Sequence, residues 1–131
     1  MPTIPTGAKG SFTLVVAAEH LASRFKDATL PPVLATPVMI MVMENAALNA
    51  LKPYLPAGET ALGTRVDVRH LAATTVGRRV TGEAEVVAVD GRRIEFTLRA
   101  TDGGEVIGVG THERVLIDLA KFAERLKAKA G

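Results

Sequence analysis

The stretch Thr36 to Leu55, TPVMIMVMENAALNALKPYL, decides how the rest of the chain must fold. It opens with Thr36 as a candidate helix N-cap and Pro37 at the first helical position, two mutually consistent start signals, and Lys52-Pro53 closes it. Between these ends Met, Ala and Leu dominate, and apolar residues fall on every side of a helix running through Leu51. A helix that is apolar all round is a buried helix. Some other part of the chain has to wrap it.

The downstream sequence supplies the wrapping. After the turn PAGETALG, Val66, Val68 and His70 alternate with Arg65, Asp67 and Arg69; Val80, Gly82, Ala84, Val86 and Ala88 alternate with more polar neighbours. Ile94, Phe96, Leu98 and Ala100 then alternate with Arg93, Glu95, Thr97 and Arg99. Period-two alternation marks half-buried strands with one wet face. Asp90-Gly91 and Asp102-Gly103-Gly104 are hairpin turn signals, the second leading into a strand from Val106 to Ile117, so a meander of antiparallel strands is expected.

Upstream, Ser11 to Val16 reads as a first strand, and AAEHLASRFKDATLPP holds room for a short helical turn before Pro31 and Pro32. A Pro/Gly-rich leader through Gly10 looks detachable, as does the stretch from Asp118, DLAKFAERLKAKA. The latter carries Leu119, Phe122 and Leu126 at helical spacing and predicts an amphipathic helix docked on the surface. The expected class is α+β: one antiparallel sheet wrapped around one long buried helix, with a C-terminal helix, which is the layout of a hot-dog fold. One domain over residues 1–131 is expected, with its core at about 11–118 and the terminal helix at 119–131.

Composition excludes several functions. No Cys is present, so thiol nucleophiles, thiol redox chemistry and Cys-ligated zinc are out of reach. The formal net charge is +2, from 16 Lys and Arg against 14 Asp and Glu, with no basic block or aromatic stacking set, which argues against nucleic acid as a partner. No apolar signal segment opens the chain, and the longest uncharged apolar run, Leu30 to Met43, is broken by Pro31, Pro32 and Pro37. No membrane span is expected, and the expected compartment is the cytoplasm. The phosphate-binding patterns GxGxxG and GxxxxGK[ST] and the nucleophile elbow GxSxG are absent.

Three residues stand out against this background. Glu44 is the only charged residue between Asp27 and Lys52, set in the middle of the apolar helix. An unpaired carboxylate there is costly, so it needs a partner, a wet cleft or a function. The competing reading sets it on a narrow solvent-facing stripe with Asn45, Asn49 and Lys52. His70 shares the inward face of its strand with Val66 and Val68. It reads either as a hydrogen-bonded core histidine or as the acid/base partner of Glu44. Thr36 is explained by capping alone, yet it lies eight residues before Glu44, about 80° around the helix and roughly 12 Å along it. A hydroxyl there is also placed to touch a substrate lying along the helix N-terminus. His20 and His112 are weaker candidates; His112 alternates with Gly108, Gly110 and Arg114, and the three histidines are not spaced as a metal motif, so no metal is expected.

The segments VLATPVMIMVMENAA, YLPAGETALGTRVDVRHLAATTVG and GVGTHERVLIDLAKF together resemble the fluoroacetyl-CoA thioesterase family and its wider set of hot-dog thioesterase-like proteins, from about Pro32 to Phe122. The resemblance implies hydrolysis of an acyl-CoA, with no cofactor beyond the CoA of the substrate. It implies that Thr36, Glu44 and His70 are the catalytic residues, that the backbone of Gly63 lies against the acyl thioester, and that Arg114 is near the substrate. Glu44 would attack the carbonyl or activate water, His70 would act as general base, and a backbone N–H near Gly63 would face the oxyanion. A side-by-side homodimer with sites at the interface follows from the resemblance and from exposed strand edges.

The fluoroacetate-specific member carries Phe residues as a lid ahead of the helix, whereas no Phe lies between Phe25 and Phe96 here. A general short or medium acyl-CoA is therefore the expected substrate. Arg65, Arg69, Arg78, Arg79 and Arg114 are candidates for the CoA phosphates. Two other readings use the same scaffold: a non-catalytic acyl-CoA or small-ligand binding module, and a hot-dog hydratase, which DVRH does not support because alternation sends Asp67 and His70 to opposite faces.

Overall fold

The computed structural model describes residues 3–131. Five strands form one antiparallel sheet: β1 (Lys9–Val15), β2 (Glu59–His70), β3 (Arg79–Asp90), β4 (Arg93–Asp102) and β5 (Glu105–Asp118). Three α-helices accompany it: α1 (Ala22–Phe25), α2 (Thr36–Leu51) and α3 (Leu119–Ala130). The two predicted hairpins form as two-residue connections, Asp90 pairing with Arg93 and Asp102 with Glu105. Gly91 and Gly103 both stand at φ 61°, the left-handed region that only glycine enters without strain.

The predicted meander holds for β3, β4 and β5 but does not extend to β2. The strand order is β1-β3-β4-β5-β2, so β2 pairs with β5 and forms one edge of the sheet, while β1 pairs with β3 at the other. The segment after His70 crosses beneath the start of α2, where the Leu34 amide donates to the Thr74 carbonyl at 2.8 Å. This crossover carries the chain from one edge of the sheet toward the other. Thr64 interrupts the β2–β5 ladder as a bulge between Gly63 and Arg65.

Helix α2 lies in the curl of the sheet and buries Val38, Met39, Val42, Met43, Ala46, Ala47, Ala50 and Leu51. Its backbone approaches the strands closely because glycines face it: a side chain at Gly82 would sit 2.8 Å from the Val42 carbonyl oxygen, and one at Gly10 would run into the backbone of Ala46 and Ala50. The helix is not covered all round, as its composition suggested. Met41 is exposed, with Asn45 directed at its sulfur, and Asn49 donates to the Ser11 carbonyl.

Both expected detachable ends behave differently from their sequence patterns. Of the leader, Ile4 and Ala8 are in the core and the Gly7 amide donates to the Val86 carbonyl, while residues 1 and 2 lie outside the described residues. Helix α3 forms where predicted, with Asp118 accepting from the Lys121 amide at its N-cap. It buries no residue, however: Phe122 is half-buried while Leu119 and Leu126 remain 48% and 52% exposed, so its apolar stripe is only partly covered by this chain.

Candidate active site

Two polar groups are positioned along α2, one at its N-terminus and one at its middle. At the N-terminus, Ala35 rather than Thr36 is the N-cap residue, and no side chain caps the helix. Thr36 begins the helix, and its hydroxyl is engaged elsewhere, 2.7 Å from Nδ1 of His70. His70 ends β2, and the Leu71 amide that follows donates to the Ile107 carbonyl. These backbone ties hold the two side chains together across the fold. Burial pushes the His70 pKa below the ordinary imidazole value of 6.5, and a backbone contact with Ala72 partly offsets it. Its Nε2 is buried without a hydrogen-bond partner. The pair opens into a cavity of about 450 Å³ whose wall includes Lys26, Leu30, Pro31, Val33 and Leu71.

The second group lies one bulge away on β2. Gly63 faces Glu44, and a side chain added at Gly63 would come within 3.0 Å of Glu44 Oε2, 3.3 Å of His112 Cε1 and 3.7 Å of Arg114 Nη1. Glycine therefore opens the space in which a carboxylate, an imidazole and a guanidinium meet. His112 is 1% exposed and Arg114 8% exposed, both on the inward face of β5. The His112 ring stacks on Phe96 with centroids 5.6 Å apart. Its Nδ1 lies 2.8 Å from the Arg65 carbonyl oxygen, which only accepts, so Nδ1 carries the proton and Nε2 the lone pair. Arg114 donates to that side of the ring through Nη1 at 3.2 Å, and to the Ala61 carbonyl through Nε and Nη2 at 3.2 and 2.7 Å. Burial lowers the pKa of His112, and the neighbouring Arg114 charge adds to this, while the Arg65 carbonyl and Glu44 raise it. Burial likewise lowers that of Arg114, against the pull of Glu44.

The structure thus brings Thr36 to His70, and Glu44 to Gly63 and Arg114, but it does not join the two groups within one chain. Among the described residues no hydrogen bond or ion pair links Glu44 with His70. The imidazole that adjoins Glu44 at Gly63 is His112, a weaker candidate than His70 on the sequence alone. The signal for it was present in the alternation of Gly108, Gly110, His112 and Arg114, whose small residues leave room beside large polar ones.

Arg114 also departs from the other arginines considered for CoA. Arg65, Arg69, Arg78 and Arg79 are exposed, Arg78 being tied to Asp102 at 2.8 Å, whereas Arg114 is enclosed. His20 accepts the Ala17 amide at 2.9 Å, and no cluster of three metal-ligating side chains occurs among the described residues.

Comparison with known proteins identifies the class: the curled sheet around a single helix is that of the hot-dog thioesterases. A thioesterase superfamily member from Thermus thermophilus superposes with a TM-score of 0.86 at 33% identity, covering 98% of this chain and 97% of its own. Within that class the chain belongs to the fluoroacetyl-CoA-specific thioesterase family, FlK, which it matches over residues 16–120. The fluoroacetyl-CoA thioesterase of Streptantibioticus cattleyicolor is 46% identical over 102 residues, covering 78% of this chain and 73% of the relative. A variant of FlK solved with acetyl-CoA superposes with a TM-score of 0.90 at 37% identity over 97% of this chain and 99% of that one. The protein is a thioester hydrolase.

Proposed function

We propose that this protein hydrolyses a short or medium acyl-CoA to the free acid and CoA in the cytoplasm, with Glu44, His70 and Thr36 carrying the chemistry and Gly63 and Arg114 contacting the substrate. The observation that carries this reading is the convergence of Glu44 and Arg114 on the open face of Gly63. A thioester carbonyl lying against Gly63 would meet a carboxylate and a cation together. Glu44 then either attacks the carbonyl carbon, giving a thiolate and an anhydride that water hydrolyses to the free acid and the regenerated carboxylate, or accepts the proton of a water that attacks the carbonyl carbon. In both routes the C–S bond breaks and the CoA thiolate leaves. CoA enters as part of the substrate, and no other cofactor is required.

The acyl group points toward the cavity beside Thr36 and His70. Leu30 stands on its wall and no Phe, Tyr or Trp side chain does, which supports a general acyl chain over selectivity for fluoroacetyl.

We further propose that the working unit is a homodimer with sites shared between copies. Thr36 and Glu44 are separated by roughly 12 Å along α2, too far for both to serve one carbonyl unaided. β2 is an edge strand with unpaired backbone groups and an exposed Leu62. In an antiparallel self-pairing of β2, the His70 end of one copy runs beside the Gly63 end of the other. Mixing protomers of inactive Glu44→Gln and inactive His70→Asn tests this. Shared sites restore about a quarter of wild-type acyl-CoA turnover on exchange, since half of the dimers then hold one intact site. No recovery after confirmed subunit exchange refutes sharing, and full activity of Glu44→Gln alone refutes the catalytic assignment.

A further inference from the structure

The guanidinium of Arg114 is enclosed, yet no carboxylate lies within ion-pair distance of it among the described residues. Glu44 offsets this charge only from beyond contact range, and a buried cation without a direct ion pair is costly and is retained where it faces developing negative charge. Its hydrogen bonds show how it is aimed. Nε and Nη2 share the Ala61 carbonyl, one Nη1 hydrogen goes to His112 Nε2, and one hydrogen on each Nη stays uncommitted. Nη1, the atom held by His112, is also the guanidinium nitrogen closest to the open face of Gly63 that Glu44 occupies.

His112 has no comparable structural need to be polar. Its place, stacked on Phe96 at the centre of the sheet, would be filled at least as well by an apolar ring. Its two nitrogens are instead spent in series: Nδ1–H donates to the Arg65 carbonyl at the bulge, and this leaves Nε2 as the acceptor for Arg114. Protonation would turn that acceptor into a donor facing another donor. The charged groups around the ring are Glu44 on α2 and Arg114 and Glu113 on β5; β2 contributes the Arg65 carbonyl and β4 the Phe96 ring.

We infer that His112 is a positioning residue of the thioesterase site, whose neutral imidazole holds the Arg114 guanidinium beside Gly63 and Glu44 where the thioester carbonyl reacts. This rests on the reading above that Glu44 and Gly63 border the reacting carbonyl. It adds that the bulge at Thr64, through the carbonyl of Arg65, sets the tautomer on which the alignment depends.

Three substitutions separate positioning from packing. His112→Phe keeps the volume and the stacking but removes both hydrogen bonds. His112→Asn keeps a donor for the Arg65 carbonyl and loses the acceptor for Arg114, whereas His112→Gln offers an acceptor near the Nε2 position. Positioning predicts kcat for acyl-CoA hydrolysis reduced about tenfold to a hundredfold in His112→Phe and His112→Asn with smaller changes in KM, and partial recovery in His112→Gln. It also predicts that the loss in His112→Asn and the loss in Arg114→Lys do not add in the double variant. Wild-type kcat in folded His112→Asn, or additive losses, overturns the inference while Glu44→Gln remains inactive. Wild-type activity in Glu44→Gln overturns the underlying reading as well. Should His112→Asn not fold, imidazole nitrogen shifts of the wild-type protein decide: an Nδ1-protonated neutral ring through the active pH range is expected, and a protonated ring at neutral pH overturns the proposal.

Discussion

The two ends of the site are built by opposite means. At the start of α2, a single hydrogen bond joins Thr36 to His70 beside an open cavity, and both side chains are positioned by backbone ties that flank them. At the middle of α2, Glu44 meets a nearly enclosed His112 and Arg114 beside the open face of Gly63. The first arrangement tolerates small shifts, because a hydroxyl and an imidazole at a cavity mouth can adjust. The second tolerates less, because His112 and Arg114 are enclosed and each depends on the direction of the hydrogen bond it shares with the other.

Substitutions should therefore cost most at the middle of the helix. Glu44→Gln should lower kcat by about a thousandfold or more, whereas His70→Asn should cost about a hundredfold. Steady-state thiol release on an acyl-CoA panel measures both, and equal losses would erase the contrast between the two ends. A step smaller, Gly63→Ala should lower kcat roughly tenfold to a hundredfold by displacing Glu44 and His112, which must give way to a methyl group 3.0 and 3.3 Å from them. Gly82→Ala is its counterpart away from the site: it presses on the Val42 backbone, so it should cost about 1–3 kcal/mol of stability in thermal unfolding while the folded fraction keeps its turnover.

Acid should affect both ends in the same direction. His70 and His112 each titrate below 6.5 when folded, so in acid the unfolded chain binds protons that the folded chain still refuses. Their contribution to stability is complete above pH 6.5 and is lost as the pH falls from 6.5 through the folded values. Unfolding midpoints across this window should drop, and the drop should shrink in His112→Phe. The smallest effect is expected where only an exposed side chain is lost: Arg65→Ala keeps the carbonyl that His112 uses, removes a 3.4 Å pairing with Asp67 and a 3.3 Å hydrogen bond to Thr111, and should change stability by less than about 1 kcal/mol. A larger loss there would indicate that the bulge is held by side chains and not by the backbone.

Much of the site was legible because each residue broke a local pattern. Glu44 interrupted an apolar helix, and His70 occupied an inward strand position. The tie between Thr36 and His70 was not legible, since capping explained Thr36 without it, and the structure leaves the cap to Ala35. The enclosure of Arg114 was not legible, because charge on a strand is usually outside. Only the inward face of β5, small at Gly108 and Gly110, shows why it is enclosed.

The sequence by itself determined that one apolar helix must be wrapped by a sheet, where the hairpins turn, and to which family the motifs belong. These are short-range properties: periodicity, turn chemistry and the residues beside one another in the chain. The tertiary structure alone decided that β2 lies at the edge beside β5, that a bulge at Thr64 resets its facing, and that Glu44 meets His112 and Arg114 while His70 meets Thr36. Alternation assigns a side chain to a face but not to a neighbour. Neighbours across a sheet follow from strand order and register, which are fixed by contacts between residues far apart in the chain.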